Sequence, residues 1–175
     1  LKEESAKADD DLVQMVARLG NGSMRDALSL MDRLLASGEK KLTVELLERL
    51  LGLPDRDLVS GLIDAAADGD AKTSLEKADE LGKRGVSPDQ LLETLMERFR
   101  ELMVLAACGP KTELVELSGP AREEETRRAA RFDAAGLVHM IALCESVQRA
   151  VKNSATPRAL LDALVVRLSM TEKLA

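Results

Sequence analysis

The sequence predicts an all-α protein, a short helix pair followed by a helical bundle, and three observations carry that expectation. Of 175 residues, 45% are hydrophobic and 32% charged, with five prolines and abundant Leu, Ala, Glu, Lys and Arg, a composition suited to ordered amphipathic helices. Apolar residues recur three and four positions apart through most of the chain. These stretches open on Ser, Thr or Asp and several close at glycine, which is the punctuation of helix caps. With two Phe and neither Trp nor Tyr, the core must be aliphatic. The length is enough for one good core and a small second unit.

Asp9 to Asp11 precede the first helix, which carries Leu12, Val13, Met15, Val16 and Leu19 and stops at Gly20. Lys2 to Asp10 reads as the remnant of an earlier helix or as a loose end. Ser23 caps the next helix, and Asp26 completes a Ser-x-x-Asp start. Its apolar face comprises Met24, Ala27, Leu28, Met31, Leu34 and Leu35, and Gly38 ends it. A polar connector, Ser37-Gly38-Glu39-Lys40-Lys41, places a domain boundary between residues 1–40 and 41–175. Thr43 then caps a helix with Val44, Leu47, Leu50 and Leu51 inward and Gly52 as its stop.

The remaining elements follow the same grammar. Asp55 or Asp57 starts a helix through Ala67, with Leu58, Val59, Leu62, Ile63 and Ala66 on one face, and Gly69-Asp70 starts another through Leu81. Ser87-Pro88-Asp89-Gln90 is the clearest start in the chain, with a cap, a proline at the first helical position and a closing Gln. The long helix that follows holds Leu91, Leu92, Leu95, Phe99, Leu102, Met103 and Ala106 and is broken by Gly109-Pro110. From Lys111 to Pro120, Leu114, Val115 and Leu117 suit an extended segment packed over the bundle. Arg122 to Phe132, rich in Glu and Arg, is expected as an exposed helix with charge pairs three and four apart. Asp133 caps a helix with Leu137, Val138, Ile141, Cys144, Val147 and Val151 buried. After Asn153-Ser154-Ala155-Thr156-Pro157, the residues Leu160, Leu161, Leu164, Val165 and Leu168 build the last one.

One residue stands against local electrostatics. Arg25 lies in the first turn of its helix, where the dipole places roughly half a positive charge, so a cation gains nothing there unless an anion is also bound. Arg25, Ser29, Asp32 and Arg33 lie opposite the apolar stripe. Spacing alone leaves two readings, a solvated surface arginine and an anion contact.

The wording of the segment goes further than its spacing. Gly22-Ser23-Met24-Arg25-Asp26-Ala27-Leu28-Ser29, followed by Leu30-Met31-Asp32, closely resembles the lid of the tau/gamma subunits of bacterial DNA polymerase III, the ATPase subunits of the sliding-clamp loader. The resemblance implies that Arg25 is the sensor-2 arginine, reaching the phosphates of ATP bound on a preceding domain, with Ser23 and Asp26 supporting the helix start. Leu50-Leu51-Gly52-Leu53, Arg84-Gly85-Val86-Ser87-Pro88 and Asn153 to Leu168 with its Thr-Pro-Arg-Ala-Leu-Leu resemble the collar domain of the same family. Thr156 stands where the family usually has Asn, and both residues can cap.

The resemblance implies residues 1–40 as the end of an AAA+ lid and 41–175 as a collar through which clamp-loader subunits associate. Implied partners are other clamp-loader subunits, copies of the chain itself and polymerase accessory subunits, in the cytoplasm. A collar needs helix faces left over after its own core closes, and Met96, Leu105, Met140 and Leu143 lie beside their helices' main stripes, as association faces or as wider core contacts. The alternative is a free-standing helical scaffold or adaptor.

Several chemistries are disfavoured. ATP hydrolysis needs a glycine-rich loop ending Gly-Lys-Ser/Thr and a magnesium carboxylate. Gly109-Pro110-Lys111-Thr112 imitates the end of such a loop but has Val104 where the first glycine belongs, and Gly82-Lys83 has Lys77 there. No catalytic residue, metal or cofactor is therefore expected in this stretch, while ATP and magnesium are implied for the full-length protein. The start at Leu1 also reads as a fragment. Cys108 and Cys144 lack the further ligands of a zinc site and are expected as buried thiols, and His139 as a structural residue. A formal charge of −6 and almost no stacking aromatics argue against direct nucleic-acid binding. No run of about 18 apolar residues suggests a membrane span.

Overall fold

The computed structural model describes residues 7–20, 22–117 and 119–170, and among them nine helices and two short strands. By packing, the chain divides into Leu1–Leu53 and Pro54–Ala175.

The first unit contains strand β1 (Lys7–Ala8), helices α1 (Asp10–Leu19) and α2 (Met24–Ala36), strand β2 (Lys41–Leu42) and helix α3 (Val44–Leu51). The strands pair in parallel, Lys7 opposite Lys41 and Ala8 opposite Leu42. Of the stretch expected as a helical remnant or loose end, Lys7–Ala8 is this strand, and residues 1–6 lie outside the described residues. Leu12 and Val16 from α1, Leu34 from α2, Leu42 from β2, and Leu46 and Leu47 from α3 form the buried core. The helices turn differently from the expected phase. Met24 is 75% and Leu28 56% exposed, because α2 packs along Ala27, Leu30, Met31, Leu34 and Leu35, which leaves Met24 and Leu28 on the flank. Val13, Leu19 and Leu50 also face outward, whereas Leu46 is buried.

The division by packing therefore falls after α3, while the polar connector expected as the boundary lies within the first unit. The reason is the side chains just past it. Leu42, Leu46 and Leu47 fill the space between α1 and α2.

The second unit comprises α4 (Arg56–Ala67), α5 (Ala71–Lys83), α6 (Pro88–Cys108), α7 (Gly119–Ala129), α8 (Ala134–Val151) and α9 (Pro157–Leu168). Local chemistry explains most of the starts. Asp55, Asp70, Ser87 and Asp133 each accept a backbone N–H of the first turn through the side chain. Thr156 does not; its backbone N–H donates to Ser154 Oγ and its hydroxyl makes no cap bond. The centre of the unit is α6, packed along α8, with Gln148 bonded to Glu93 and Lys152 near Asp89, so the end of α8 lies beside the start of α6. Around it, Leu62, Ile63, Leu81, Leu92, Leu95, Phe99, Leu102, Leu137, Leu161 and Val165 are buried in one apolar, mostly aliphatic core.

Two expectations are corrected here, and one open alternative is decided. Val138 is 54% exposed and Met140 is buried, because α8 turns Leu137, Met140 and Cys144 toward α6. Leu105 and Met140, left open between association faces and wider core contacts, lie in the core, with Met96 and Leu143 packed against it. Finally, α7 is not an exposed helix. Its Glu125 and Arg128 are buried, since α6 and α4 supply opposite charges for them. The segment before it does pack down through Val115 and Leu117, whereas Leu114 is exposed.

Candidate functional site

The turn from α1 into α2 is built by close approach. A Cβ on Gly20 would lie 2.9 Å from the Ala27 Cβ, so the end of α1 tolerates no side chain against α2. Gly22 has φ +79°, a left-handed conformation open to glycine at little steric cost. Ser23 then caps α2. Its Oγ accepts the Asp26 N–H at 3.3 Å, while its own N–H donates to the Gly20 carbonyl at 2.7 Å. The Ser-x-x-Asp start is thus half of a capping box, because the Ser23 amide is taken by the preceding turn.

Arg25 is exposed one residue into this helix, on the side away from Leu34. The Ser29 hydroxyl donates to its carbonyl at 2.9 Å, and among the described residues no carboxylate forms an ion pair with its side chain. The structure thus brings Ser23, Arg25 and Asp26 into one turn, where a planar guanidinium and a helix N-terminus both favour an anion such as phosphate.

Sequence reasoning missed a second constellation. Arg98 lies on the buried side of α6, 8% exposed, and its Nη2 donates to Ser60 Oγ at 3.2 Å and to Glu125 Oε1. Glu125, 2% exposed, also accepts from Arg128 Nη1 at 2.7 Å. Arg128 reaches on to Asp64 through Nε at 2.9 Å and Nη2 at 3.1 Å, and Arg131 donates to Asp64 and Asp68. Burial disfavours the charge on Arg128, but hydrogen bonds to Asp64 and Glu124 and the charge of Glu125 outweigh it, so its pKa lies above the ordinary arginine value. The available signal was Arg98 itself, at helical spacing from Leu91, Leu95, Leu102 and Leu105, where an arginine requires an acid. This network ties α4, α6 and α7 together.

The remaining candidates are a cleft in the second unit, the two cysteines and the one histidine. Pro88, Leu91, Pro157 and Leu161 floor a cleft of about 430 Å³ rimmed by Lys83, Asp79 and Arg158. Its charges close on one another: Lys83 pairs with Asp79 at 2.7 Å, and Arg158 donates to Asp162 at 2.7 Å and to Asp79 at 3.3 Å. The hydrogen bond from Lys83 holds Asp79 below its ordinary pKa. A Cβ at Gly82 would lie 2.8 Å from Arg158 Nη1, so glycine lets this arginine lie across α5. Cys144 is buried and its thiol is pushed up to about 12, whereas Cys108, also expected inside, is exposed at the end of α6. His139 is exposed as well. Among the described residues no cluster of His, Cys, Asp and Glu is placed to hold a metal ion, and no helix is long and apolar enough to cross a membrane. Gly109, at φ +81°, turns the chain out of α6, and Arg122 donates to the carbonyls of Pro110, Thr112 and Val115 at 2.9, 2.8 and 2.6 Å.

Comparison with known proteins extends these observations. Residues 42–175 match the family described as DNA polymerase III subunits gamma and tau domain III, and residues 1–40 match the ATPase lid domain of the DNA polymerase III clamp loader subunit. The DNA polymerase III subunit gamma/tau of Mycobacterium tuberculosis strain H37Rv is 29% identical over 170 residues, which cover 95% of this chain and 29% of that protein. The DNA polymerase III subunit tau of Bacillus subtilis strain 168 is 26% identical over 168 residues, 96% of this chain and 30% of the relative. The chain thus spans about a third or less of these curated relatives. A solved structure, the Bacillus subtilis DNA clamp loader delta protein, matches with a TM-score of 0.54 at 16% identity, covering 96% of this chain and 52% of the other, a likeness of fold.

Proposed function

The chain belongs to the family of DNA polymerase III gamma and tau subunits, and from that premise we propose that it is an assembly module of a bacterial replicative clamp loader, with Arg25 contacting ATP held on a preceding ATPase domain. The observation that carries the reading is the placement of Arg25. It is exposed beside a capped helix N-terminus, on the side of α2 away from the core, with no carboxylate partner among the described residues. A guanidinium so placed recognises phosphate oxygens at little cost to the fold.

The second unit supplies the association. With Leu105 and Met140 in the core, the large apolar side chains of the second unit exposed to a neighbouring subunit, among the described residues, are Leu114, Val138 and Met170. The partners are copies of the chain and the other clamp-loader subunits, in the cytoplasm, and the full-length protein is the ATPase, with ATP and magnesium as its cofactors. The chain itself neither hydrolyses ATP nor binds nucleic acid directly, in keeping with its charge of −6.

Light scattering across a concentration series tests the reading, on the chain alone and mixed with the other clamp-loader subunits. A defined oligomer is expected. A monomer in every mixture overturns association by this chain and favours a free-standing adaptor. In the full-length subunit, Arg25→Ala should weaken ATP-dependent clamp loading, and unchanged ATP binding and loading would remove the nucleotide contact.

A further inference from the structure

We infer that α7, together with the 110–117 segment before it, is a charge-latched strap that opens as a unit smaller than the bundle it covers. Four features lead there. First, α7 adds a single apolar side chain, Ala129, to the buried core, and the segment before it adds Val115, with Leu117 partly buried against it. Its attachment is ionic: Glu125 to Arg98 of α6, and Arg128 to Asp64 of α4. A helix with so little apolar contact draws little of its docking from hydrophobic burial.

Second, the segment and the helix depend on each other. The carbonyls of Pro110, Thr112 and Val115 accept hydrogen bonds from the Arg122 guanidinium of α7, so lifting the helix strips these carbonyls of that donor. Third, the buried junction is incompletely satisfied. Arg98 Nε, Glu125 Oε2 and Thr126 Oγ1 are buried without a hydrogen-bond partner, and opening returns all three to water. The polar penalty of the closed state therefore offsets part of what opening loses.

Fourth, the frame underneath closes without α7. The packing of α6 along α8, of α4 against α5, and of α9 against both α5 and α8 involves none of its residues. Local opening in proteins follows such contrasts in buried apolar contact, in contiguous units with their own free energies.

Amide hydrogen exchange of the whole chain, read by mass spectrometry, tests this with two variants. In the unmodified protein, amides of 110–129 should exchange at least tenfold faster than those of the central turns of α6 and α8. Glu125→Gln, which weakens the latch, should raise exchange in 110–129 a further tenfold or more while α8 and α9 change less than twofold. Arg122→Ala leaves the buried charges in place and should act on the same residues in the same way, so it decides the matter if E125Q does not fold. Exchange that rises equally in α7, α8 and α9, or that responds to neither variant, overturns the strap and makes α7 part of one cooperative unit.

Discussion

Arg25 and Arg98 show how far residue identity depends on surroundings. Both lie on helices, but Arg25 is in water while Arg98 is 8% exposed and bonded to Ser60 and Glu125. Removing Arg98 leaves the buried Glu125 balanced by Arg128 alone and strips Ser60 of its bond, so Arg98→Ala should lower stability by about 3 kcal/mol in urea unfolding. Arg25→Ala, on an exposed face with no such bond, should stay within about 0.5 kcal/mol in the same measurement. Equal losses would mean that Arg25 holds the fold rather than a ligand. The turn that carries Arg25 was legible in the sequence because the residues that shape it, Gly22, Ser23 and Asp26, are its neighbours. The Arg98 network was not, because Arg128 reaches an Asp64 that is 64 residues away, and nothing in a periodic pattern couples such distant charges. Glu124 and Arg127 in α7 pair or face water as the pattern implied, yet Glu125 and Arg128, written in the same alphabet, are buried.

Helix starts were more legible than helix faces, and for the same reason of range. A cap is a bond over two or three residues, as in Thr43 to Leu46 or Ser87 to Gln90, while the phase of a helix is decided by whatever packs on it. Met24 and Leu28 fit a helical stripe but lie outside the side that α2 buries, and Leu46 was missed on α3. Ser87→Ala should therefore cost about 1 kcal/mol, the usual worth of a cap. Thr156→Ala, whose hydroxyl makes no cap bond, should cost less than about 0.5 kcal/mol. Chemical denaturation of the two variants side by side checks this, and a larger loss at Thr156 would show that its hydroxyl does cap α9. The start of α5 carries a pH dependence. The Thr73 hydroxyl, then the Thr73 N–H, hold the Asp70 carboxylate below its ordinary pKa of 3.8. A depressed folded pKa gives stability that is present above 3.8 and is lost as pH falls through the folded value. Asp70→Asn should flatten the acid side of the stability curve below about pH 4 and leave the slope at neutral pH alone.

At the scale of the whole chain, the all-α class follows from composition and periodicity, but where the chain divides depends on a few leucines. The polar run Ser37 to Lys41 has the composition of a linker, and the family matches also change between residues 40 and 42. Packing divides the chain later, between Leu53 and Pro54, because Leu42, Leu46 and Leu47 complete the core of Leu12, Val16 and Leu34. A segment can thus belong to one domain by descent and to its neighbour by burial. Large-to-small changes in the two cores separate the two. Leu47→Ala should remove about 2 to 5 kcal/mol, as for other buried leucines, and should speed amide exchange in α1 and α2. Leu161→Ala should have a similar magnitude but speed exchange in α5 and α8, which pack on α9. Were α3 part of the second unit, Leu47→Ala would instead loosen α4 and leave α1 protected. Leu50→Ala serves as the internal control: on the same helix but 42% exposed, it should cost well under half of what Leu47→Ala does, and equal costs would show that α3 is turned otherwise than its buried Leu46 and Leu47 imply.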